Sequence, residues 1–490
     1  MSDVAVIGAG FGGLASALRL RKLGHKVTVY ERLASPGGRA QVFDRAGYRH
    51  DAGPTVITAP FLFDELFELF GKDRKDYVEF VPLEPWYRFV FDDRSTFDYG
   101  GTVDETLEEI AKISPVDCEG YRLLVKKSEA IYRVGFEQLA HVPFHRLGTM
   151  LGQLPSLARL RGDKSVWDLV CAHLKHDKLR RAFSIQPLLV GGSPFDTTSI
   201  YGLIHYLERE HGVFFAMGGT GALVQSLSQL AEEEGVEFEY GVDVVKLSTR
   251  DKKIVSAQTA TGDEIEADTY VFNGDPLFLY NKLLPAETIP MATRLKRDKA
   301  KLSMGLYVLF FGTDRTYEDV AHHTIVLGKT YKELLDSIFH SKSLSDDVSL
   351  YLHRPTATDK SFAPQGHDSF YVLCPVPNNS SGIDWKKEEP ALRQLVVRTL
   401  EEKLLPGLSQ SMVEPFCMTP DDFEADYCSF QGAGFSLAPL FTQSAWFRFH
   451  NQAEGIDNLI LTGAGTHPGA GLPGVVSSAK VVEQLMKERS

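Results

Sequence analysis

The chain has 490 residues, of which 43% are hydrophobic and 24% charged, and its net charge is −13. That length predicts two or three domains or subdomains, the composition is that of a globular protein, and the acidic balance excludes nucleic acid as a general partner. The five cysteines (118, 171, 374, 417 and 428) have no C-x-x-C spacing, so no metal site is predicted, and so sparse a set suits a reducing compartment.

The first forty residues read as one unit. Val4 to Ile7 is a short apolar run of buried-strand type, and Leu14, Ala15, Ala17, Leu18 and Leu20 give a helix one apolar face. Gly24 suits a helix end, and Val27 to Tyr30 is a second strand closed by Glu31. Between the first strand and the helix stands Gly8-Ala9-Gly10-Phe11-Gly12-Gly13. This is the turn that binds a dinucleotide. Gly8 permits the tight turn, Gly10 admits a pyrophosphate, and Gly13 lets helix and strand pack closely. The positive helix end faces the phosphates. Glu31, 23 positions past Gly8, can accept from ribose hydroxyls. The motif alone does not separate FAD from NAD. Pro36-Gly37-Gly38-Arg39 does so: a second glycine loop with a forked cation suits the extended FAD.

Asp51-Ala52-Gly53-Pro54 is turn chemistry; a surface turn and a backbone laid against a flat ring fit it equally. Pro60 to Phe70 holds four phenylalanines and three leucines, which fits core packing first and a hydrophobic ligand channel second. Trp86 to Tyr99 is a hairpin turning at Asp92-Asp93-Arg94, and Glu105 to Leu179 is mainly helical. Within it, His141 to Arg181 carries eight Lys or Arg against three Asp, interleaved with Phe144, Leu147, Met150, Leu151 and Trp167. A solvated helical face and an amphipathic surface for anionic membrane fit that stretch equally.

The helix Thr198 to Arg209 places His205 and Glu208 three apart on one side. A polar surface is the ordinary reading of that pair, and acid–base work is the sharper one. Met217 to Gly221 opens another helix, strands follow at 236–240 and 244–247, and a hairpin follows around Thr261-Gly262. Tyr270 to Asn273 then returns the chain to the nucleotide unit, before strand-like runs at Gly305 to Phe311 and Ser369 to Cys374. The last signal is Asn458 to Leu461, a strand, followed by Thr462-Gly463-Ala464-Gly465-Thr466-His467-Pro468-Gly469-Ala470-Gly471-Leu472-Pro473-Gly474 and a helix from Val475. A second helix end is thus aimed at a ligand. A flavin needs that arrangement, phosphates at the first helix and isoalloxazine at the last.

With these blocks in view, the chain resembles the bacterial- and fungal-type phytoene desaturases, carotenoid enzymes within the amine-oxidase-like flavoproteins. The likeness rests on 458–477, and on Pro36 to Arg39, Asp51 to Thr55, Leu188 to Phe195, Leu207 to Thr220, Ala321 to Thr324 and Thr442 to Phe447. It implies an α/β fold: a Rossmann-type FAD-binding domain with an inserted mixed α+β substrate domain and a helical membrane-associating subdomain. The expected division is FAD-binding at 1–59, 214–285 and 436–490, with insertions at 60–213 and 286–435. The resemblance carries over Gly8, Gly10, Gly13, Glu31, Gly38 and Arg39 as FAD contacts. It puts Pro54 and Thr55 near the ring, the Val244 backbone at the adenine, and Gly463, Ala464, Gly474 and Val475 at the pyrophosphate-to-ring end. Ala464 stands where many relatives in the wider superfamily carry an acid, which favours the carotenoid branch.

The resemblance further implies phytoene and partly desaturated carotenes as substrates, and oxygen or quinone as electron acceptor. It implies a cytoplasmic protein bound peripherally to a membrane. Docking and entry are expected from 141–181 and 60–70. His467 and His205 are the candidates for proton acceptor. Rival readings are a carotenoid isomerase or a desaturase of another carotene, an amine oxidase, and a flavin-free lipid escort of the same fold.

Overall fold

A computed structural model of the chain describes residues 1–144 and 162–489. The first sheet is wholly parallel and has five strands, in the order Leu459–Leu461, Thr269–Phe272, Asp3–Ile7, Lys26–Glu31, Glu237–Tyr240. Its strands come from three separated stretches of chain, so the nucleotide unit closes only when the last forty residues return. Its central strand is buried from Val4 to Ile7, as parallel strands covered on both faces require. The first helix (Phe11–Lys22) buries an unbroken run from Phe11 to Leu20. It packs against the sheet and against the last helix (Leu472–Lys487). Arg19 fixes that packing: its two guanidinium branches reach Glu65 and Glu483, each at 2.8 Å.

The second sheet is mixed, seven strands in the order Met412–Met418, Gly305–Thr313, Asp368–Val376, Leu350–His353, His323–Val326, Tyr87–Val90, Thr96–Tyr99. The apolar run at 305–313 has a simple cause. Tyr307, Leu309 and Phe311 pack with Leu392, Val396 and Leu400 of the helix Trp385–Lys403. Leu306, Val308 and Phe310 point to the opposite face, into the core that holds the hairpin. Both faces are buried, so alternation disappears from the sequence. The hairpin forms as expected, with Tyr87 opposite Tyr99.

The Phe-rich stretch takes the first of its two readings, and only the entry expected there needs correction. The Phe-rich helix (Phe61–Glu68) is core, not channel: Leu62, Phe63, Leu66 and Phe67 are buried against the nucleotide unit. Its surplus aromatics are used up locally, Phe63 against Phe11 and Phe80, Phe67 against Tyr77, and Phe61 against His211. Part of the basic charge at 141–181 is also paired, Lys178 with Asp93 at 2.5 Å and Arg181 with Asp177. The centre of that stretch, 145–161, lies outside the described residues. The five cysteines are free thiols.

Candidate functional site

One cavity of about 550 Å³ runs from the parallel sheet to the second sheet. Its first limb is made of backbone. The strand Asp3–Ile7 ends in Gly8 at φ +100°, and the Gly8 N–H donates to the Tyr30 carbonyl at 2.8 Å. Gly37 N–H donates to the Ala9 carbonyl at 2.9 Å, which brings the second glycine loop beside the first. A Cβ on Gly13 would lie 2.0 Å from the Gly8 carbonyl oxygen. Gly13 therefore serves helix–strand contact and does not line the cavity, whereas Gly8, Gly10, Gly38 and Glu31 do.

The Glu31 carboxylate is held in place by two backbone donors, Ala9 N–H at 2.6 Å and Leu33 N–H at 2.9 Å. Burial pushes its pKa up, and those N–H groups oppose the rise. Each carboxylate oxygen keeps a second lone pair for a hydroxyl donor. Val244 lines the same limb, next to Val242, whose N–H donates to the Glu31 carbonyl at 2.9 Å.

Arg39 donates from Nη2 to Ser429 Oγ at 2.8 Å, while its buried Nε has no partner. Burial lowers its pKa and the Asp275 carboxylate raises it. A cation held in the wall with an unmet donor suits a phosphate-bearing ligand. Gly53 passes so close behind it that a Cβ would lie 2.1 Å from the Arg39 carbonyl oxygen. Asp51 to Pro54 is thus close backbone approach, not a surface turn, and Pro54 and Thr55 both line the cavity.

At the far end of this limb, Gly463 stands at φ +98° and Gly471 caps the last helix without a side chain. A Cβ on Gly474 would meet the Gly469 carbonyl at 2.6 Å. Gly463, Ala464, Gly474 and Val475 all line the cavity. Two residues here escaped sequence reasoning. The Asn273 side chain fills the space between the two glycine loops: Cβ atoms on Gly12 or Gly463 would meet its Oδ1 at 2.5 and 2.8 Å. Arg448, buried, donates from Nη2 to the Ala464 carbonyl at 2.7 Å. Neither belongs to a local pattern; only the folded chain brings them to the loops.

The second limb is built from side chains. Ile204 and Leu207, Ile185 and Leu188, and Leu306 and Val308 form part of its wall, from three separate elements. Its hydroxyls are satisfied among themselves: Thr55 Oγ1 lies 2.7 Å from Tyr371 OH and 3.1 Å from Tyr351 OH, and Tyr351 OH lies 2.7 Å from His323 Nδ1.

His467 lines the cavity, with Nε2 2.9 Å from the Leu139 carbonyl and an edge contact to Phe144. Burial pushes its pKa down to about 4. His205 does not line the cavity. Its ring nitrogens meet Phe183 carbonyl oxygen at 2.6 Å and Gln186 Nε2 at 3.1 Å. The expectation of a polar surface at His205 and Glu208 is wrong, since both are buried. Among the described residues His322, His323 and His353 bring ring nitrogens within 4.8 Å of one another. His322 Nε2 lies 3.0 Å from His353 Nε2, a hydrogen bond that already engages two of the three rings.

Comparison with known proteins agrees with this architecture. The family described as flavin containing amine oxidoreductase matches residues 11–482. Similar sequences include a phytoene desaturase (lycopene-forming) of Pseudescherichia vulneris, 44% identical over 489 residues covering 100% of this chain and 99% of that one. They also include a phytoene desaturase (neurosporene-forming) of Rhodobacter capsulatus, 42% identical with 100% and 94% covered. Among solved structures, putrescine oxidase bound to putrescine superposes with a TM-score of 0.65 at 14% identity, covering 100% of this chain and 99% of that one. An oxidoreductase from Methanosarcina mazei gives 0.66 at 16%, covering 98% and 100%. At those identities the structural likeness shows the fold alone.

Proposed function

Because the chain belongs to the flavin-containing amine oxidoreductase family, we propose that its two-limbed cavity holds FAD in the backbone-built limb and a carotene in the apolar one, and that the protein is a phytoene desaturase. The observation that carries this reading is the continuity of the cavity. A dinucleotide cradle opens directly into a largely apolar wall whose described residues offer an amine no ionic partner except one buried carboxyl. When bound, the flavin supplies hydride acceptance from an allylic C–H.

The protein's own share is position and dryness. Gly8, Gly10, Gly38 and Arg39 receive the pyrophosphate, Glu31 the ribose and the Val244 backbone the adenine. Pro54, Thr55, Ala464, Gly474 and Val475 border the ring, and Gly13 and Gly463 keep the loops close enough to do so. The aliphatic limb orients a hydrocarbon that has no polar group to grip, and it excludes water from the reacting carbons. Lycopene and neurosporene are the expected products, after four or three desaturations.

The substrate lives in a bilayer, and no described helix is long and apolar enough to cross one. The reading therefore has the protein dock on the membrane surface through the basic stretch 141–181, of which Phe144 lines the cavity. Oxygen or a quinone takes the electrons. The test is incubation of the FAD-loaded protein with phytoene in liposomes, with and without quinone under nitrogen, followed by the visible spectrum and extraction. New conjugated carotenes are expected. A flavin-loaded protein that leaves phytoene colourless but converts partly desaturated or cis carotenes would replace this reading by the sibling desaturase or isomerase. Replacing Arg159, Arg161 and Lys164 by Gln should lower liposome flotation at low salt, and unchanged flotation removes the docking assignment.

A further inference from the structure

Among the described lining residues of the apolar limb, one carboxyl interrupts the hydrocarbon. The other carboxyl groups along the cavity sit in the dinucleotide limb: Glu31 on its two N–H donors, Asp243 paired with Arg32, Asp275 near Arg39, and Asp426, whose main-chain carbonyl accepts from Arg32. Glu208 stands one residue past Leu207 on the helix Leu203–His211 and is fully buried. Its Oε1 accepts from the Tyr87 hydroxyl at 3.0 Å. Its Oε2 is buried and has no hydrogen-bond partner. A buried acceptor left open carries a desolvation cost on the order of 1–3 kcal/mol. A packed apolar wall would avoid that cost with any aliphatic residue here.

We propose that Glu208 is a catalytic residue: its Oε2 accepts the proton that the hydrocarbon releases as each new double bond forms. This rests on the desaturase reading. Two C–H bonds break. One hydrogen leaves with its bonding pair to the flavin. The neighbouring hydrogen leaves as a proton and forms an O–H bond at Oε2, and the electron pair it leaves behind becomes the π bond of the new alkene. The proton then has the Tyr87 hydroxyl as its first onward contact.

The surroundings suit a base that must both take and release a proton. Burial pushes the Glu208 pKa up to about 7, while the Tyr87 hydroxyl and the Arg209 charge restrain the rise. The groups facing it are Tyr87 and Tyr99 from the hairpin, Tyr121 from the helix Cys118–Tyr132, Gln186, and Arg209 on its own helix. The Arg209 guanidinium donates to the carbonyls of Gly101 and Gly100 at 3.0 and 3.3 Å and lies over Trp86, so it acts on Glu208 through its charge and not through these hydrogen bonds. His467, the rival on the wall, has a pKa pushed down to about 4, which makes it a weaker base at neutral pH.

The test uses holoenzyme in liposomes. Glu208→Gln should keep flavin content and carotene binding, read by quenching of tryptophan fluorescence, and lose about a hundred- to ten-thousand-fold in kcat. Glu208→Asp should recover part of the loss. An infrared pH-difference spectrum of the wild type should show protonated-carboxyl intensity titrating near neutrality, shared with Asp51, which burial also pushes up to about 7, and Glu208→Gln should lose the Glu208 share of it. Wild-type turnover should fall on acidification through a single ionisation near pH 7. Turnover of Glu208→Gln within threefold of wild type, or a carboxyl band of undiminished intensity in it, overturns the assignment. Should that variant fail to fold, a wild-type rate that is flat between about pH 5 and 8 overturns it equally. A wild type that shows the band but leaves every carotene unchanged would overturn the desaturase reading instead.

Discussion

The two limbs of the cavity are made by different means. The dinucleotide limb is mostly backbone: apart from the Glu31 and Arg39 side chains it offers N–H groups and helix ends, and its residue requirements are mostly requirements for the absence of a side chain. The apolar limb is side chain throughout, collected from the hairpin, the 185–190 turn, the helix Leu203–His211 and four strands of the second sheet. A site made of backbone writes itself locally, as glycines at fixed spacing. A site made of side chains writes itself only through the fold that gathers them. Damage should differ accordingly: single atoms matter in the first limb, and volume and charge in the second.

The largest effect follows from adding atoms where the backbone has no room. Gly13→Val would force a Cβ to within 2.0 Å of the Gly8 carbonyl, so the first helix must move off its strand. We expect a destabilisation above ~4 kcal/mol and loss of bound flavin, since steric overpacking of a central contact is among the few mechanisms that reach that size. Chemical denaturation and the flavin-to-protein absorbance ratio measure both, and a stable yellow variant contradicts the packing role.

In the apolar limb the matching insult spares the cofactor. Ile204→Trp would fill part of the wall beside Leu207 without touching a glycine loop. Flavin content should stay at wild-type level while kcat/KM for phytoene falls about a hundredfold, the scale on which a hydrophobic pocket discriminates by volume. Parallel loss of flavin would show that the two limbs are not separable in this way.

Legibility follows the same division. Asn458 to Gly474 could be read directly because a strand, a glycine loop and a helix must succeed one another there, and the structure has that succession. Asn273 and Arg448 could not be read, since each is a single polar residue whose partners are remote in sequence. Glu208 was visible as part of a His–Glu pair, but helical spacing fixes which residues share a face and is silent on what covers that face. The Phe-rich helix misled for the converse reason. Aromatic abundance signals burial, and a core and a channel wall ask for the same residues until their neighbours are known.

Acid should separate the limbs as well. His205 and His323 stand behind the apolar limb and His467 in its wall, with pKa values pushed by burial to about 4, about 3 and about 4. An unfolded histidine titrates near 6.5, so between roughly pH 6.5 and 4 the unfolded chain binds more protons and stability falls as pH falls. Each such histidine contributes on the order of 2 kcal/mol that is present at neutrality and lost across that window. Carotene binding should therefore fail at a higher pH than flavin binding, and release of flavin first would reverse the ranking of the limbs.

The smallest expected effect tests the backbone rule from its other side. Val244 borders the dinucleotide limb and is proposed to meet the adenine through its main chain. Its pairing with Thr259 across the antiparallel ladder keeps that main chain in place whatever the side chain. Val244→Ala removes two buried methyl groups, which costs about 1–2 kcal/mol of stability through lost burial. It leaves every N–H and C=O where it was. Flavin affinity, measured by titrating the apoprotein, should then change by no more than about twofold, well under the 1.4 kcal/mol that a tenfold change requires. A tenfold loss would mean that the adenine is held by the isopropyl group itself, and the line between a limb of backbone and a limb of side chains would have to be drawn further down the cavity, past Val244.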